Sequence, residues 1–268
     1  MTSLSPTLKR DLTSGRLTET LADIAEAASA LILPYWRADA AVIRKADDSP
    51  VTEADHKAEA LIVERLAALY PGVQTVAEEA CAAGGAPDAQ DVFFVIDPLD
   101  GTKAFVAERE AFTVNIALVK GDRVVAGVVS APAMNQTWRS GGTGPKAAGA
   151  FSRRFGDAAW RAVRVREKPE RGSALVSHSL KEDEAERIAA RFGCPHWQAL
   201  DSSVKFCLIA EGRFDVYPRT GPTCEWDTGA GQAVLEAAGG RVITLEEGRP
   251  LTYGKPGFLN PGFVALGG

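Results

Sequence analysis

The chain has 268 residues and a mass of 28.4 kDa, enough to bury a large core in one domain or two closely joined lobes. Hydrophobic residues make up 46% and charged residues 24%, a balance that excludes general disorder. The net charge of −5 and pI near 5.4 exclude a basic binder of nucleic-acid polymers, whose affinity comes from neutralising phosphates.

The first 20 residues carry charges and no apolar stretch, so no secretory signal is expected there. The longest apolar run, 27–35, contains Ser29 and Pro34 and is too short to span a bilayer. Leu17, Leu21, Ile24, Ala28, Leu31 and Ile32 recur at helical spacing, predicting an amphipathic helix that Pro34 ends or kinks. A second helix is expected from Thr52, with Thr52 and Asp55 arranged as a capping box, running to Leu69 before Pro71-Gly72 stops it. Strands are predicted over 73–77 and 92–96, each ending on acidic residues, followed by a hairpin of 112–119 and 123–130. The glycine-rich stretch 141–145 is the best internal boundary, giving an N-terminal lobe of 1–145 and a C-terminal lobe of 146–268.

Beyond it, strands over 174–177, 214–217 and 241–243 alternate with helices over 182–192, 203–211 and 228–238. Asp227 precedes the last helix and Gly239-Gly240 follows it, the expected asymmetry of caps. The pattern predicts a layered α/β or α+β enzyme. The four cysteines, Cys81, Cys194, Cys207 and Cys224, are scattered and read as reduced, mostly buried thiols of a cytosolic protein. They do not pair with His56, His178 or His196 at zinc-ligand spacing.

The segment Asp97-Pro98-Leu99-Asp100-Gly101-Thr102 follows an apolar strand and so sits where ligands commonly bind in α/β proteins. Its two carboxylates can converge on one point, Gly101 permits close backbone approach, and Thr102 offers a hydroxyl. Oxygen donors of this kind suit Mg²⁺ and a phosphate. An Asp-rich turn capping its own backbone accounts for the spacing equally well. Taken singly, Glu78-Glu79 reads as a solvated loop, Asp227 as a helix cap and Asp55 as an acid favoured by a helix dipole.

Together these segments resemble the inositol monophosphatase superfamily of lithium-sensitive, Mg²⁺-dependent phosphomonoesterases. The resemblance rests on Ser49-Pro50-Val51-Thr52-Glu53-Ala54-Asp55, Glu78-Glu79, Asp97 to Thr102, and Trp226-Asp227 with the small-residue helix ending Ala237-Ala238-Gly239-Gly240. It implies the sugar-phosphatase fold of alternating layers, αβαβα, with the active site between two lobes. By position, Glu78, Asp97 and the Leu99 carbonyl would hold one Mg²⁺, and Asp97, Asp100 and Asp227 a second; the resemblance allows two or three ions. The Gly101 and Thr102 amides would receive phosphate, the Thr102 hydroxyl and Asp55 would orient the attacking water, and Glu79 would support the ligands.

Within that superfamily the chain is most similar to the CysQ-type 3'(2'),5'-bisphosphate nucleotidases. The similarity runs through Ser202-Ser203-Val204-Lys205-Phe206-Cys207 and Tyr217-Pro218-Arg219-Thr220-Gly221-Pro222-Thr223. It implies removal of the 3'-phosphate of adenosine 3',5'-bisphosphate, giving AMP, in recycling a by-product of sulfate assimilation. Glu78, Leu99, Asp100, Gly101, Thr102, Ser202, Ser203, Lys205, Arg219 and Asp227 are the expected substrate contacts. Arg219 lies where inositol monophosphatases carry an acidic residue, and a guanidinium suits a second phosphate. Inositol phosphate or fructose bisphosphate stays open as the alternative substrate. The resemblance also implies a cytoplasmic enzyme, with peripheral membrane association left open, and is compatible with a homodimer. His178 is expected to have a structural role at a strand end. Asp201 stands where the family more often has glycine, and residues 141–155, with Arg153 and Arg154, do not align.

Overall fold

The computed structural model describes residues 4–37, 42–44 and 50–268, with the backbone alone described over 42–44 and 50–52. Ser49, the first residue of the family-like Ser49–Asp55 stretch, and the side chain of Thr52, expected to cap a helix with Asp55, lie outside the described residues. Two helices open the chain, α1 (Pro6–Ser14) and α2 (Arg16–Ile32). Ser5 accepts the Leu8 N–H at the start of α1, and Gly15, at φ 83°, makes the left-handed joint between the helices. The short pair β1 (Val42–Arg44) and β2 (Pro50–Thr52) precedes α3 (Glu53–Leu69).

A seven-stranded sheet follows. It runs β3 (Gln74–Ala77), β4 (Val92–Asp100), β5 (Thr113–Lys120), β6 (Arg123–Ala131), β7 (Gln136–Ser140), β8 (Ala150–Arg154) and β9 (Arg161–Val163), in that spatial order. Only β3 and β4 are parallel, being joined through the helix α4 (Glu78–Gly84); α5 (Thr102–Val106) links β4 to β5. A second sheet holds β10 (Ser173–Ser177), β11 (His196–Leu200), β12 (Val216–Arg219), β14 (Arg241–Thr244) and β16 (Phe263–Leu266), in the order β11-β10-β12-β16-β14. Helices α6 (Glu182–Ala190), α7 (Val204–Ala210) and α8 (Glu225–Ala237) intervene, and β13 (Thr223–Cys224) pairs with β15 (Leu259–Asn260).

The alternation of β4 explains the layering. Phe94 and Ile96 pack with Ile116, Leu118 and Val128 against α1–α3. Phe93 and Val95 point the other way and pack with Val119, Val129, Phe206 and Leu235, the last two from α7 and α8. A strand buried on both faces reads as one continuous apolar run. The second sheet covers the far side of α7 and α8, and α6 closes its outer face through Ala189 against Ala174 and Val216. The layers are therefore αβαβα, as expected.

Several boundaries differ from expectation. The large sheet continues through Val163 and the second begins at Ser173, so 145/146 falls between β7 and β8. The strand expected over 214–217 is displaced to Val216–Arg219, with Asp215 just before it holding Arg166 and the Ser173 N–H through its carboxylate. Cys194 and Cys207 are buried but Cys81 and Cys224 only half-buried, so mostly buried thiols is right for two of the four. Among the described residues no helix is long and apolar enough to cross a membrane.

Candidate active site

The Asp97–Asp100 segment is not a turn beyond a strand but a bulge within one. Asp97 faces Asn115 and Asp100 faces Thr113, so three steps along β4 match two along β5. In a regular strand, residues three apart point to opposite sides; the extra residue returns Asp100 to the side of Asp97. Pro98 has no N–H to lose from the interrupted ladder. The Asp97 carboxylate accepts the Leu99 N–H at 3.0 Å, and the Thr102 hydroxyl donates to the Leu99 carbonyl at 3.0 Å. Gly101 turns the chain from β4 into α5 at φ 87°; a Cβ there would meet the Ala111 carbonyl at 3.0 Å.

The third carboxylate arrives on α8, which starts at Glu225 rather than at Thr228. Asp227 is therefore not a residue before the helix but its third, and it accepts the Cys224 N–H at 2.6 Å. Carboxylate oxygens of Asp97, Asp100 and Asp227 all lie within 4.8 Å of one another. Ser203, just before α7, donates its N–H to Asp100 at 2.5 Å, and the Asn115 amide and Thr113 hydroxyl reach the same oxygen at 3.3 and 3.4 Å. Thr113 and Asn115 alternate with buried Val114 and Ile116, so polar residues in an otherwise apolar strand were the readable signal for them.

Glu78 and Glu79 form the first turn of α4 instead of a loop, because Glu59 caps it. The two Glu59 oxygens accept the N–H groups of Glu79 and Ala80 at 2.8 and 2.9 Å. Glu79 is buried, and Glu78 hydrogen-bonds Asp97. Glu59 was missed, although Asp55, Glu59, Ile62 and Leu66 recur at helical spacing and are all on the buried face of α3. Asp55 is itself buried, on the first turn of that helix.

Asp100 and Asp227 border a cavity of about 110 Å³ that Ser202, Ser203, Lys205, Arg219 and Thr223 also line. Asp55, Glu78 and Thr102 are not among its described lining residues. Lys205 is buried and donates to the Leu200 and Ser202 carbonyls at 3.1 and 2.5 Å, with its ammonium 4.9 Å from the Tyr217 ring centre. It thus holds the turn before α7 as well as charging the cavity. Arg219 donates to the Ser177 hydroxyl at 2.9 Å and the Pro222 carbonyl at 3.1 Å, while its buried Nε has no partner among the described residues. Arg109 pairs with Asp201 at 2.9 Å beside the Ser202 turn. His178 is exposed at the end of β10.

Burial first, and then mutual repulsion, raises the pKa of Asp97 and of Asp227, which is pushed up to about 8. Asp100 is raised as well, by burial against the opposing pull of Lys205. Lys205 is lowered to about 8 by burial. Three crowded, all-oxygen donors in this condition fit a hard divalent cation, which would relieve their repulsion. A carboxyl whose folded pKa is raised stabilises the fold below its unfolded value, and that contribution is lost as pH rises through the folded value. For Asp227 the window runs from its ordinary 3.8 to about 8. The metal-free protein should therefore melt at a lower temperature at pH 8 than at pH 5, with added Mg²⁺ closing most of the gap. Equal or higher melting at pH 8 in EDTA would contradict this.

Residues 15–263 match the inositol monophosphatase family. The chain is 39% identical over 223 residues to the 3'(2'),5'-bisphosphate nucleotidase CysQ of Escherichia coli (strain K12), covering 83% of this chain and 87% of that protein. It is 31% identical over 259 residues to the nucleotidase CysQ of Aggregatibacter actinomycetemcomitans, with 92% and 91% covered. Among solved structures, CysQ from Bacteroides thetaiotaomicron aligns with a TM-score of 0.77 at 30% identity, over 94% of this chain and 97% of that one. The inositol monophosphatase of Anabaena (Nostoc) sp. PCC 7120 aligns with a TM-score of 0.72 at 25% identity, over 95% and 91%.

Proposed function

Because the chain belongs to the inositol monophosphatase family, we propose that it is a Mg²⁺-dependent 3'(2'),5'-bisphosphate nucleotidase. Its reaction would release the 3'-phosphate of adenosine 3',5'-bisphosphate and leave AMP, the chemistry needed to recycle a by-product of sulfate assimilation. The observation that carries the reading is one cavity lined both by Asp100 and Asp227 of the carboxylate cluster and by Lys205 and Arg219. A monophosphate needs only the first; a bisphosphate brings a second anionic group for the guanidinium to grip.

Asp97, Asp100 and Asp227, with Glu78 and the Leu99 carbonyl, would hold two or three Mg²⁺. Such ions, when bound, supply positive charge beside the phosphate and lower the pKa of water. The chain's own groups then have distinct tasks. The Thr102 hydroxyl donates to Leu99 and keeps its lone pairs for the hydrogens of an incoming water, with Asp55 helping to fix that water. The N–H groups where α5 begins, at Gly101 and Thr102, are donors for phosphate oxygens. Ser202 and Ser203 form the cavity wall nearest Asp100. Glu79 supports the cluster from α4.

Phosphate release should be measured on adenosine 3',5'-bisphosphate, inositol 1-phosphate and fructose 1,6-bisphosphate, with and without Mg²⁺ and Li⁺. The nucleotide should give the highest kcat/KM, require Mg²⁺ and be inhibited by Li⁺. Arg219→Glu should cut the nucleotide value by about 10–100-fold and spare inositol 1-phosphate, the loss expected for a charged hydrogen bond. A preference for inositol 1-phosphate in the unmodified protein would overturn the substrate; tight nucleotide binding without phosphate release would overturn the enzyme.

Glu59→Ala should weaken Mg²⁺ activation by about 10–100-fold, because the α4 amides lose their acceptor and Glu78 loses its fixed position. Glu59→Gln, which keeps one acceptor, should fall between. A Mg²⁺ dependence unchanged in both would remove Glu59 from this role.

A further inference from the structure

Strands β7–β9, the segment after β9 and the turn after α7 build a second cavity, of about 490 Å³, outside the carboxylate site. Five arginines line it, Arg153, Arg154, Arg161, Arg164 and Arg213, against two carboxylates, Asp157 and Glu211. The sheet register explains the convergence. Arg154 stands opposite Gln136, Ser152 lies two residues before Arg154, and Arg161 stands opposite Ser152, so all share one face of β7–β9. Arg213 reaches the cavity from the turn after α7 and Arg164 from the segment after β9.

Not all of these charges are available. Arg153 is committed to Glu26 and Asp23 at 2.9 and 2.8 Å and lies over the Trp160 ring. Glu211 is committed to the Gln136 amide and the Trp138 indole, both at 2.8 Å, with Arg213 only 3.8 Å away. That leaves Arg154, Arg161 and Arg164, all exposed and none paired with a carboxylate among the described residues. With Asp157 the one other carboxylate in the lining, the three guanidiniums leave the concavity net positive in a chain of net charge −5, a local field that attracts anions.

We propose that this cavity is a second binding site, for a small molecule bearing clustered phosphates. Guanidinium forks match phosphate oxygens in pairs, and three of them converging on one concavity suit several phosphates on one small molecule. The site is separate from the carboxylate cluster: β4 and β8 are four strands apart, about 19 Å at the usual spacing. It does not depend on the nucleotidase reading and could be occupied whatever the substrate.

Inorganic tripolyphosphate is the probe, titrated calorimetrically into the full-length protein in EDTA at low salt. One site is expected, with affinity falling steeply as salt rises. The variant Arg154→Ser/Arg161→Ser/Arg164→Ser should lose affinity at least tenfold while retaining wild-type phosphate release under Mg²⁺, which also reports that it is folded. Neutralising Lys181, Arg187 and Arg191 on or beside α6 removes the same charge elsewhere and should leave binding within about twofold, as should Arg219→Ala. No tripolyphosphate binding by the wild type would overturn the proposal, as would equal losses in the triple arginine and α6 variants. Loss confined to Arg219→Ala would place the anion in the first cavity and overturn it too. Should the triple variant fail to fold, the single changes Arg154→Ser and Arg161→Ser must each weaken binding, or the site is not there.

Discussion

Asp100→Asn should abolish phosphate release, lowering kcat/KM by about 10³-fold or more, while leaving the metal-free protein at least as resistant to heat as the wild type. The two halves have one cause. Asp100 is half-buried beside carboxylates that repel it, and its ordinary charge is tolerated through the Ser203 N–H, the Asn115 amide and nearby Lys205. An asparagine removes the repulsion and keeps an oxygen for the Ser203 N–H, so the fold gains or breaks even. It also removes one of three negative charges from the cluster, and a rise of roughly 4 kcal/mol in the barrier is a thousandfold loss of rate. Phosphate release across a Mg²⁺ series and a melting curve in EDTA test both halves. Near-normal turnover in excess Mg²⁺ would remove Asp100 from the metal-binding set, and a large fall in melting temperature would mean that its contacts, not its charge, dominate.

Glu225→Ala should be the most destabilising single change near the site, costing about 3–5 kcal/mol, which lowers Tm by roughly 10 °C in a chain of this size. Glu225 is fully buried at the first position of α8. Its oxygens accept the Gly254 N–H at 2.8 Å, the Lys255 N–H at 2.9 Å and the Lys255 ammonium at 2.6 Å. Alanine would strand two amides and leave a half-buried ammonium with the Thr252 carbonyl and the Tyr253 ring. Asp227 lies two residues along the same turn, so activity should fall with stability. Thermal denaturation decides this: a shift under 2 °C would mean that water replaces the carboxylate without loss.

The layers were legible because their causes are local. Apolar periodicity set α2, α3 and β4, and the Lys120-Gly121-Asp122 turn joined β5 to β6. Strands β7–β9 were missed because each is short and rich in polar residues, Gln136, Arg139, Ser152 and Arg161 among them; they are strands because their neighbours offer a ladder. Asp97, Asp100 and Asp227 were brought together by motif; chemistry alone left the first two balanced between a cation site and a self-capping turn and read the third as a helix cap. Glu59 and Asn115 act through contacts 20 and 15 residues away in sequence, so no local pattern could assign their partners. Lys205 was expected at the substrate, and its donors turned out to serve two carbonyls of its own chain.

The bulge in β4 makes the chemistry depend on the length of the strand rather than on its composition alone. Before it, odd-numbered residues face α8; after it, Asp100, an even-numbered one, does so. The segment thus shifts the phase of the strand by one. Deleting Leu99 while keeping every acid would restore an unbroken alternation, and Asp97 and the displaced aspartate would then sit two apart along a regular ladder. Each would still be an aspartate on the same side, but the Leu99 carbonyl would go with its residue and Gly101 would turn the chain into α5 one position earlier along the ladder. Sequences that drift by one residue here can therefore keep their core and their acidic motif and still lose the centre that the motif advertises.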